Sequence, residues 1–599
     1  MKVYWWSLLW LLTGSLVFAQ NHTGNLRTLA AIKEAEKQLV LLNNQSGLVP
    51  LSDLREVRIA SVHCGYGFPA VFDSIASNYA PATGFSPGPA PDDSAFFALH
   101  DRLKLYNLIL ITLSDSSPFS PGLLNFIKEQ QATNRVLVVL TGSGKNLAFL
   151  DPLTVPVIWS PVNTAEGASA AAQVIFGGIG CSSRLPATYS KQFKQGSGFT
   201  TQKTRLGYSV PEAVAVNSDR LTAIDSLVKI SIARHVTPGA VILLAKDGQV
   251  IFHKAYGHHT YSKEEVTKLD DIFDLASVTK VSATTPAIMR LVDQKRVDLN
   301  ALISRYVAQT RLIPDKATLT VREALLHEAG FTPYIKFYEQ LKPLDLSADS
   351  SADFPTKVAD RYFLRKNYFE EVMWPVTLKS KVETRGRFVY SDVSMYMMKE
   401  VIETASHQKL DDFVLNELYR PLGLQATGFL PRHRFPRSRI VPTTENDNWF
   451  RNMRVQGYVN DPGAAMAGGV EGHAGLFGNA NDLAILYQMY LNKGTYGGIR
   501  YIEPATVTLF TSEQSAASGR GYGFARATKP LTKPYPSAQA YGHSGYTGTY
   551  VWVDPQYNMV YICLTNRVYP DDGKTYGKPA LNLRSLALDK FYEAVLAGN

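Results

Sequence analysis

Cysteine is nearly missing from this chain of 599 residues: Cys64, Cys181 and Cys563 are the only ones. An odd number this low supplies no disulfide framework, even in an oxidising compartment. Cys563 lies in the strand-like "MVYICLTN" and reads as a small core hydrophobe. Strong charge of one sign is lacking too. The net charge of +9 is spread thinly, and only "RHRFPRSR" (432–439) clusters, which reads as a solvated loop rather than an anion-binding patch. No zinc-finger spacing and no aromatic-studded basic stretch points to nucleic acid. His327-Glu328 lacks a second histidine at metal spacing, so neither a metal site nor a cofactor is expected.

Long apolar runs are missing everywhere but at the start. There "MKVYWWSLLWLLTGSLVFAQ" opens on basic Lys2, continues apolar and ends with small or branched residues suited to cleavage after Ala19. The run is short for a membrane span and has no basic stop-transfer flank. No cysteine follows the cut, which argues against a lipid anchor there. Residues 1–19 are expected to be a signal peptide, and the mature chain to be exported, periplasmic or secreted.

What remains is ordinary globular composition, 45 % apolar and 19 % charged, in a chain too long for one core. Over residues 28–200, short apolar runs ("VRIASV", "NLILITL", "VLVVLTG") alternate with helical stretches such as "SPGLLNFIKEQQ". That rhythm predicts parallel strands covered by helices on both faces. The alanine-rich "TAEGASAAAQVIFG" (164–177) predicts a helix stopped by Gly177. "GYGFPA" (65–70) has dinucleotide-type glycines, but no acidic residue follows about twenty positions on, and a plain tight turn is the better reading. Small and polar residues over 201–216 predict a linker. From 217 to 599 the pattern changes to a helix, a hairpin turning at Asp247-Gly248, later strands in 549–566 and a last helix over 581–596. An α+β domain with a central antiparallel sheet is expected.

The front segment resembles the C-terminal α/β-sandwich domain of family 3 glycoside hydrolases, through "QLVLLNNQSGLVPL" (38–51) and "EGASAAAQVIFGG…SSRLPATYSKQFKQGSG" (166–198). The stretch between the expected signal peptide and this likeness is too short for the barrel that carries that family's catalytic carboxylate, so no such nucleophile is expected. The resemblance therefore implies a retained scaffold or a glycan-contacting surface.

In the second segment, "DLASVTKVSA" (274–283) sets Ser277 three residues before Lys280, on one face of an opening helix. A capping serine and a surface lysine remain open on these residues alone. As chemistry, a serine hydroxyl needs a base, and a lysine serves only if burial or nearby positive charge leaves its amine neutral. Pro286 predicts a kink, or a helix restarting at Thr285. "FVYSDVSMYMM" (388–398) places Tyr390 ahead of a helix, where a phenol beside a lysine can relay a proton. "YGHSGYTGTYVWVDP" (541–555) begins a strand with His543, Ser544 and Gly545, and the Tyr546 N–H can serve as an oxyanion donor.

In this order, with the hairpin before and the strand pair after, these motifs resemble the serine β-lactamase and penicillin-binding-protein superfamily, in the branch of class C β-lactamases, D-alanyl-D-alanine carboxypeptidases and related esterases. "TVREALLHEAGFTP" (320–333), "LYRPLGLQATGF" (418–429), "DPGAAMAGGVEGHAGLFGNANDLA" (461–484) and "LTNRVYP" (564–570) strengthen it. The resemblance implies Ser277 as acylated nucleophile, Lys280 as proton acceptor and Tyr390 as relay. It places His543 where many relatives have lysine, and Asp392, Ser544, Gly545 and Tyr546 along the substrate. Asp392 stands where asparagine is usual; an ionised carboxylate only accepts, which weakens the case for amide recognition and β-lactam hydrolysis. His473 reads as a structural residue of a glycine-rich loop. The expected function is an exported serine hydrolase acting on esters or D-alanyl peptides of the cell wall, with no cofactor. The alternatives are a non-catalytic peptidoglycan-binding protein and, from the front segment alone, a β-N-acetylhexosaminidase.

Overall fold

Successive residues of strand 108–114 enter two different cores. Leu108 and Leu110 pack with Leu137 and Val139 on one side; Ile109, Ile111 and Leu113 pack with Val138 and Leu140 on the other. Apolar side chains on both faces of one strand demand cover on both sides, which helices on both sides provide. The computed structural model describes residues 21–88, 91–527, 535–577 and 581–597, so the expected signal peptide lies outside the described residues. The first unit ends at Asp219 and the second begins at Arg220.

The first unit holds β1 (Val40–Leu42), β2 (Ile59–Cys64), β3 (Ala82–Phe85), β4 (Leu108–Ser114), β5 (Arg135–Thr141) and β6 (Val157–Ser160), in the order β1-β6-β5-β4-β2-β3. Only β1 runs antiparallel to its neighbour. Helices α1 (Pro69–Ser77) and α4 (Ala165–Phe176) cover one face, and α2 (Asp93–Leu103) and α3 (Pro121–Thr133) the other. Thr164 caps α4 by accepting from the Gly167 N–H, and Gly177 stops it in the left-handed region at φ 75°.

The expected linker needs correction. Thr204 and Arg205 donate their N–H groups to the Gly177 carbonyl at 2.8 and 2.9 Å. The buried Arg205 guanidinium donates to the carbonyls of Phe176 and Ser52, both at 2.8 Å. A buried arginine that satisfies backbone carbonyls fixes this stretch to the first unit.

The second unit is built on β7 (Gly239–Lys246), β8 (Gln249–Gly257), β9 (Ala525–Arg526), β10 (Tyr541–Ser544), β11 (Tyr550–Asp554) and β12 (Met559–Thr565). They form one antiparallel run in the order β9-β10-β11-β12-β7-β8. Asp247 and Gly248 turn the hairpin with φ of 52° and 69°, the two positive values a tight two-residue turn requires. Every residue of β12 is buried, so both faces of the sheet centre are covered. Helix α5 (Ala480–Leu491) packs on β7 and β12. Helix α6 (Leu583–Leu596) sets Phe591 against the rings of Phe252 and Tyr561, at 5.2 and 5.5 Å.

The arginine-rich 432–439 stretch has no buried residue, as a solvated loop would, and it is also pinned: Arg432 pairs with Asp360 at 2.9 Å, Arg437 donates to Gln456 at 2.8 Å and Arg439 pairs with Asp270 at 3.0 Å. All three cysteines are buried and free.

Candidate active site

Ser277 does not open an ordinary α-helix. It sits in a 3-10 turn, Ala276–Val278, followed by a π turn, Lys280–Thr284, and an α-helix, Thr285–Asp293, with Pro286 in its first turn. Lys280, three residues on at the start of the π turn, sets its Nζ 2.9 Å from Ser277 Oγ. Ala276 just before has φ 46°, a region costly for a residue with a Cβ. Surrounding bonds hold it there. Asp274 accepts the Ala276 N–H at 2.9 Å and the Asn460 N–H at 2.7 Å, and Leu275 N–H donates to Leu476 O at 3.0 Å. Burial raises the Asp274 carboxyl to about 6, against those two N–H donors.

Lys280 is fully buried and uses three donors: Ser277 Oγ, Asp392 Oδ1 at 2.7 Å and the His473 carbonyl at 3.0 Å. Burial pulls its pKa down, but the Asp392 carboxylate and then Tyr390 outweigh that, and the net direction is up. The sequence reading asked for a neutral amine. The structure favours the ammonium instead, because a carboxylate 112 residues away in the chain lies against Nζ at 2.7 Å.

Tyr390 lies beside this group, with Lys280 Nζ 5.0 Å from its ring centre. The His543 ring is 5.9 Å from the Tyr390 ring, and the His327 ring only 4.6 Å. His327 accepts the Ser391 N–H at Nδ1 (3.2 Å), so its proton is on Nε2; His543 Nδ1 faces the Ser544 carbonyl at 2.8 Å, so its proton is on Nδ1. Both imidazoles stay neutral. Burial first, then the charges of Arg520 and Lys280, hold their pKa values well below the ordinary one.

The end of β10 is tied to the serine turn. Thr547 and Thr549 hydroxyls donate to the carbonyls of Asp274 and Leu275 at 2.7 and 2.9 Å. A Cβ on Gly545 would meet Thr549 Oγ1 at 2.1 Å and Leu275 O at 2.5 Å. The close approach that Gly545 permits is thus with the chain's own Leu275, not with a substrate, and its N–H is spent on Thr549 O at 2.7 Å. Ser544 is exposed, and Tyr546 is exposed with its hydroxyl on Asp572. Among the described residues, no backbone acceptor takes the N–H of Ser277 or of Tyr546.

Asp392, Asp461 and His473 bring possible ligand atoms within 4.8 Å of one another, a cluster the sequence spacing did not reveal. The positive charge on Asp392 is the Lys280 ammonium, and His473 Nε2 is bonded to Asp461 at 2.8 Å. Asp461 is held down at about 2, against burial, chiefly by His473, whose own pKa is raised by Asp461 against burial. His327, Asp461 and Arg520 went unnoticed as site residues in the sequence. His327 was visible only inside "LLHEAG", with nothing in the spacing to link it to Tyr390.

An antiparallel sheet flanked by helices, with a serine–lysine pair on a strained turn tied to the end of one strand, defines a class of hydrolase fold. The family model described as Beta-lactamase matches residues 224–584, and the chain belongs to that family. It is 32% identical over 383 residues to an N-acetylmuramyl-L-alanine amidase of Bacillus subtilis (strain 168), covering 59% of this chain and 83% of that one. It is 30% identical over 390 residues to a protein of Escherichia coli O157:H7 provisionally named D-alanyl-D-alanine carboxypeptidase, covering 60% and 86%. Among solved structures, a penicillin-binding protein homolog from Caulobacter crescentus aligns with a TM-score of 0.45 at 20% identity over 63% of this chain and 98% of that one. The hydrolase EstCE1 aligns at 0.47 and 20% over 62% and 98%. The second unit is therefore a β-lactamase-family serine hydrolase unit. No helix among the described residues is long and apolar enough to cross a membrane.

Proposed function

We propose that the protein is an exported serine hydrolase that forms an acyl-enzyme on Ser277, with esters or D-alanyl peptides of the cell wall as substrates. One observation carries this reading: Lys280 Nζ bridges Ser277 Oγ and Asp392 Oδ1 at 2.9 and 2.7 Å from a fully buried position. The ammonium first passes a proton to Asp392. The resulting amine takes the Ser277 proton as Oγ attacks the carbonyl, and the N–H groups of Ser277 and Tyr546 hold the oxyanion. Tyr390 relays the proton to the leaving group and then activates the water that cleaves the acyl-enzyme. His543 stands by as a neutral acceptor. The names of the two relatives favour cell-wall peptides.

The front unit serves in this reading as a family-3-like α/β scaffold or glycan-contacting surface, and residues 1–19 as the export signal. A fluorophosphonate probe is expected to label the wild type and not Ser277→Ala; equal labelling of both removes Ser277 from the mechanism. Intact mass spectrometry after incubation with p-nitrophenyl esters, penicillin and D-alanyl peptides then identifies the acyl group from the adduct.

A further inference from the structure

Both chain neighbours of Tyr390 are bound to one residue, His327. Val389 donates its N–H to the His327 carbonyl at 3.0 Å, and Ser391 donates its N–H to His327 Nδ1 at 3.2 Å. The imidazole itself lies on the phenol, with ring centres 4.6 Å apart and planes tilted by 39°. Just beyond, the Ser391 hydroxyl donates to Thr332 O at 2.6 Å and the Asp392 N–H to Pro333 O at 2.7 Å. Residues 327–333 thus form a frame along which the Tyr390 segment is laid. The frame is anchored in turn: the N–H groups of Glu328 and Ala329 donate to Glu323 O at 2.8 and 3.1 Å.

His327 takes this place in a strained form. Its φ of 58° lies in the left-handed region, unfavourable for a residue with a Cβ. It is 1 % exposed, and among the described residues its Nε2 has no acceptor. Strain and an unpaired buried donor, concentrated on one residue, point to function rather than stability. A protonated Nδ1 could not accept from Ser391. Burial first, and then the charges of Arg520, Lys280 and His543, keep the imidazole neutral. The phenol that it covers stands beside Lys280, whose Nζ is 5.0 Å from the Tyr390 ring centre. A tyrosine turns about two side-chain bonds, and a relay that must meet both a lysine and a water tolerates little of that freedom.

From this frame we infer that His327 is a positioning residue for Tyr390: its Nδ1 holds Ser391 and its ring holds the phenol, so that the relay stays aimed at Lys280 and the deacylating water. The inference rests on the acyl-enzyme reading and adds a residue to its machinery. In the deacylation step the water oxygen bonds to the acyl carbon and the acyl–Oγ bond breaks. The water proton passes through Tyr390 and Lys280 to Ser277 Oγ.

The test follows turnover of p-nitrophenyl acetate by the full-length protein. p-Nitrophenolate leaves without a proton from Tyr390, so kcat/KM reports acylation of Ser277 and kcat reports deacylation. His327→Ala is expected to lower kcat about 10- to 100-fold, the scale of an ångström-sized misplacement. Because kcat/KM should change little, KM falls with kcat, and intact mass shows the acetyl adduct accumulating. His327→Asn should recover part of kcat, since asparagine tolerates the left-handed region and its Oδ1 can accept from Ser391 in place of Nδ1. The asparagine variant also carries the test if the alanine variant does not fold. A fall in kcat/KM equal to that in kcat, at constant KM, marks a loss of folded enzyme and overturns the inference. An unchanged kcat in both folded variants overturns it too. A wild type that takes up neither fluorophosphonate nor acetyl sinks the acyl-enzyme reading itself, whereas one that takes up both, with no split in the variants, sinks only the role of His327.

Discussion

Lys280 Nζ and Asp392 Oδ1 stand 2.7 Å apart, with the lysine fully buried and the carboxylate partly open to solvent. This contact decides the resting proton state of the site. Removing a lysine from water favours its neutral form, and a carboxylate in contact reverses that preference.

Asp392→Asn therefore shifts the activity profile. An amide oxygen still accepts from Nζ but carries no charge, so burial dominates and the lysine pKa falls. The acid limb of kcat/KM for an ester is expected to move down by one pH unit or more. An acid limb left where it was argues against Lys280 as proton acceptor.

Gly545→Ala forces a Cβ against Thr549 Oγ1 and Leu275 O at 2.1 and 2.5 Å. The end of β10 must then move away from the serine turn. We expect a loss of about 1–3 kcal/mol in stability, as for other overpacked sites, and slower fluorophosphonate labelling of Ser277. Labelling at the wild-type rate would show that the strand end does not set the geometry of the serine.

The pH dependence of stability separates two histidines. His327 has a depressed folded pKa, so below about 6.5 the unfolded chain binds a proton that the native state refuses, and stability falls with pH. His473 has a raised folded pKa, so its contribution is complete below about 6.5 and is lost as pH rises through the folded value. The deficit of His327→Gln relative to wild type should shrink on the acid side of about 6.5, by up to about 1.4 kcal/mol per pH unit. That of His473→Gln should shrink on the alkaline side. Urea unfolding from pH 4.5 to 9 measures both, and two flat differences would refute the assignment.

Lys399 and Glu471 form a buried pair at 2.8 Å just ahead of the His473 loop, with Glu471 also accepting the Gly472 N–H at 3.1 Å. Lys399→Met alone leaves a buried carboxylate without its cation and should cost about 3–5 kcal/mol. Joining it to Glu471→Gln should recover much of that loss in a thermal melt. No recovery would mean the pair acts on stability through packing rather than charge.

Much of the architecture was legible because it is written in local periods. Strand 108–114 is apolar over Leu108–Ile111 and again at Leu113, a nearly continuous run that demands helices on both faces. Asp247-Gly248 announces its hairpin, and Gly177 its helix end, through backbone preferences that act within a few residues. Residues 201–216 misled, because small polar composition resembles a linker while Arg205, by its bonds to the carbonyls of Phe176 and Ser52, ties the stretch down. Periodicity also could not foresee the 3-10 and π turns around Ser277, where bonds from Asp274 and Leu476 override the preference for a regular helix.

The amino-acid order by itself determined that a serine and a lysine share one turn ahead of an apolar helix, and that a His-Ser-Gly segment begins a strand. Those are short-range facts, set by spacing and backbone preference. Only the tertiary structure decided that a carboxylate lies against the lysine, that His327 packs on Tyr390, and that Arg520 is buried without a carboxylate partner among the described residues. Each of these depends on groups brought from distant parts of the chain into a space with little water, where a single neighbouring charge outweighs what the residue would do alone.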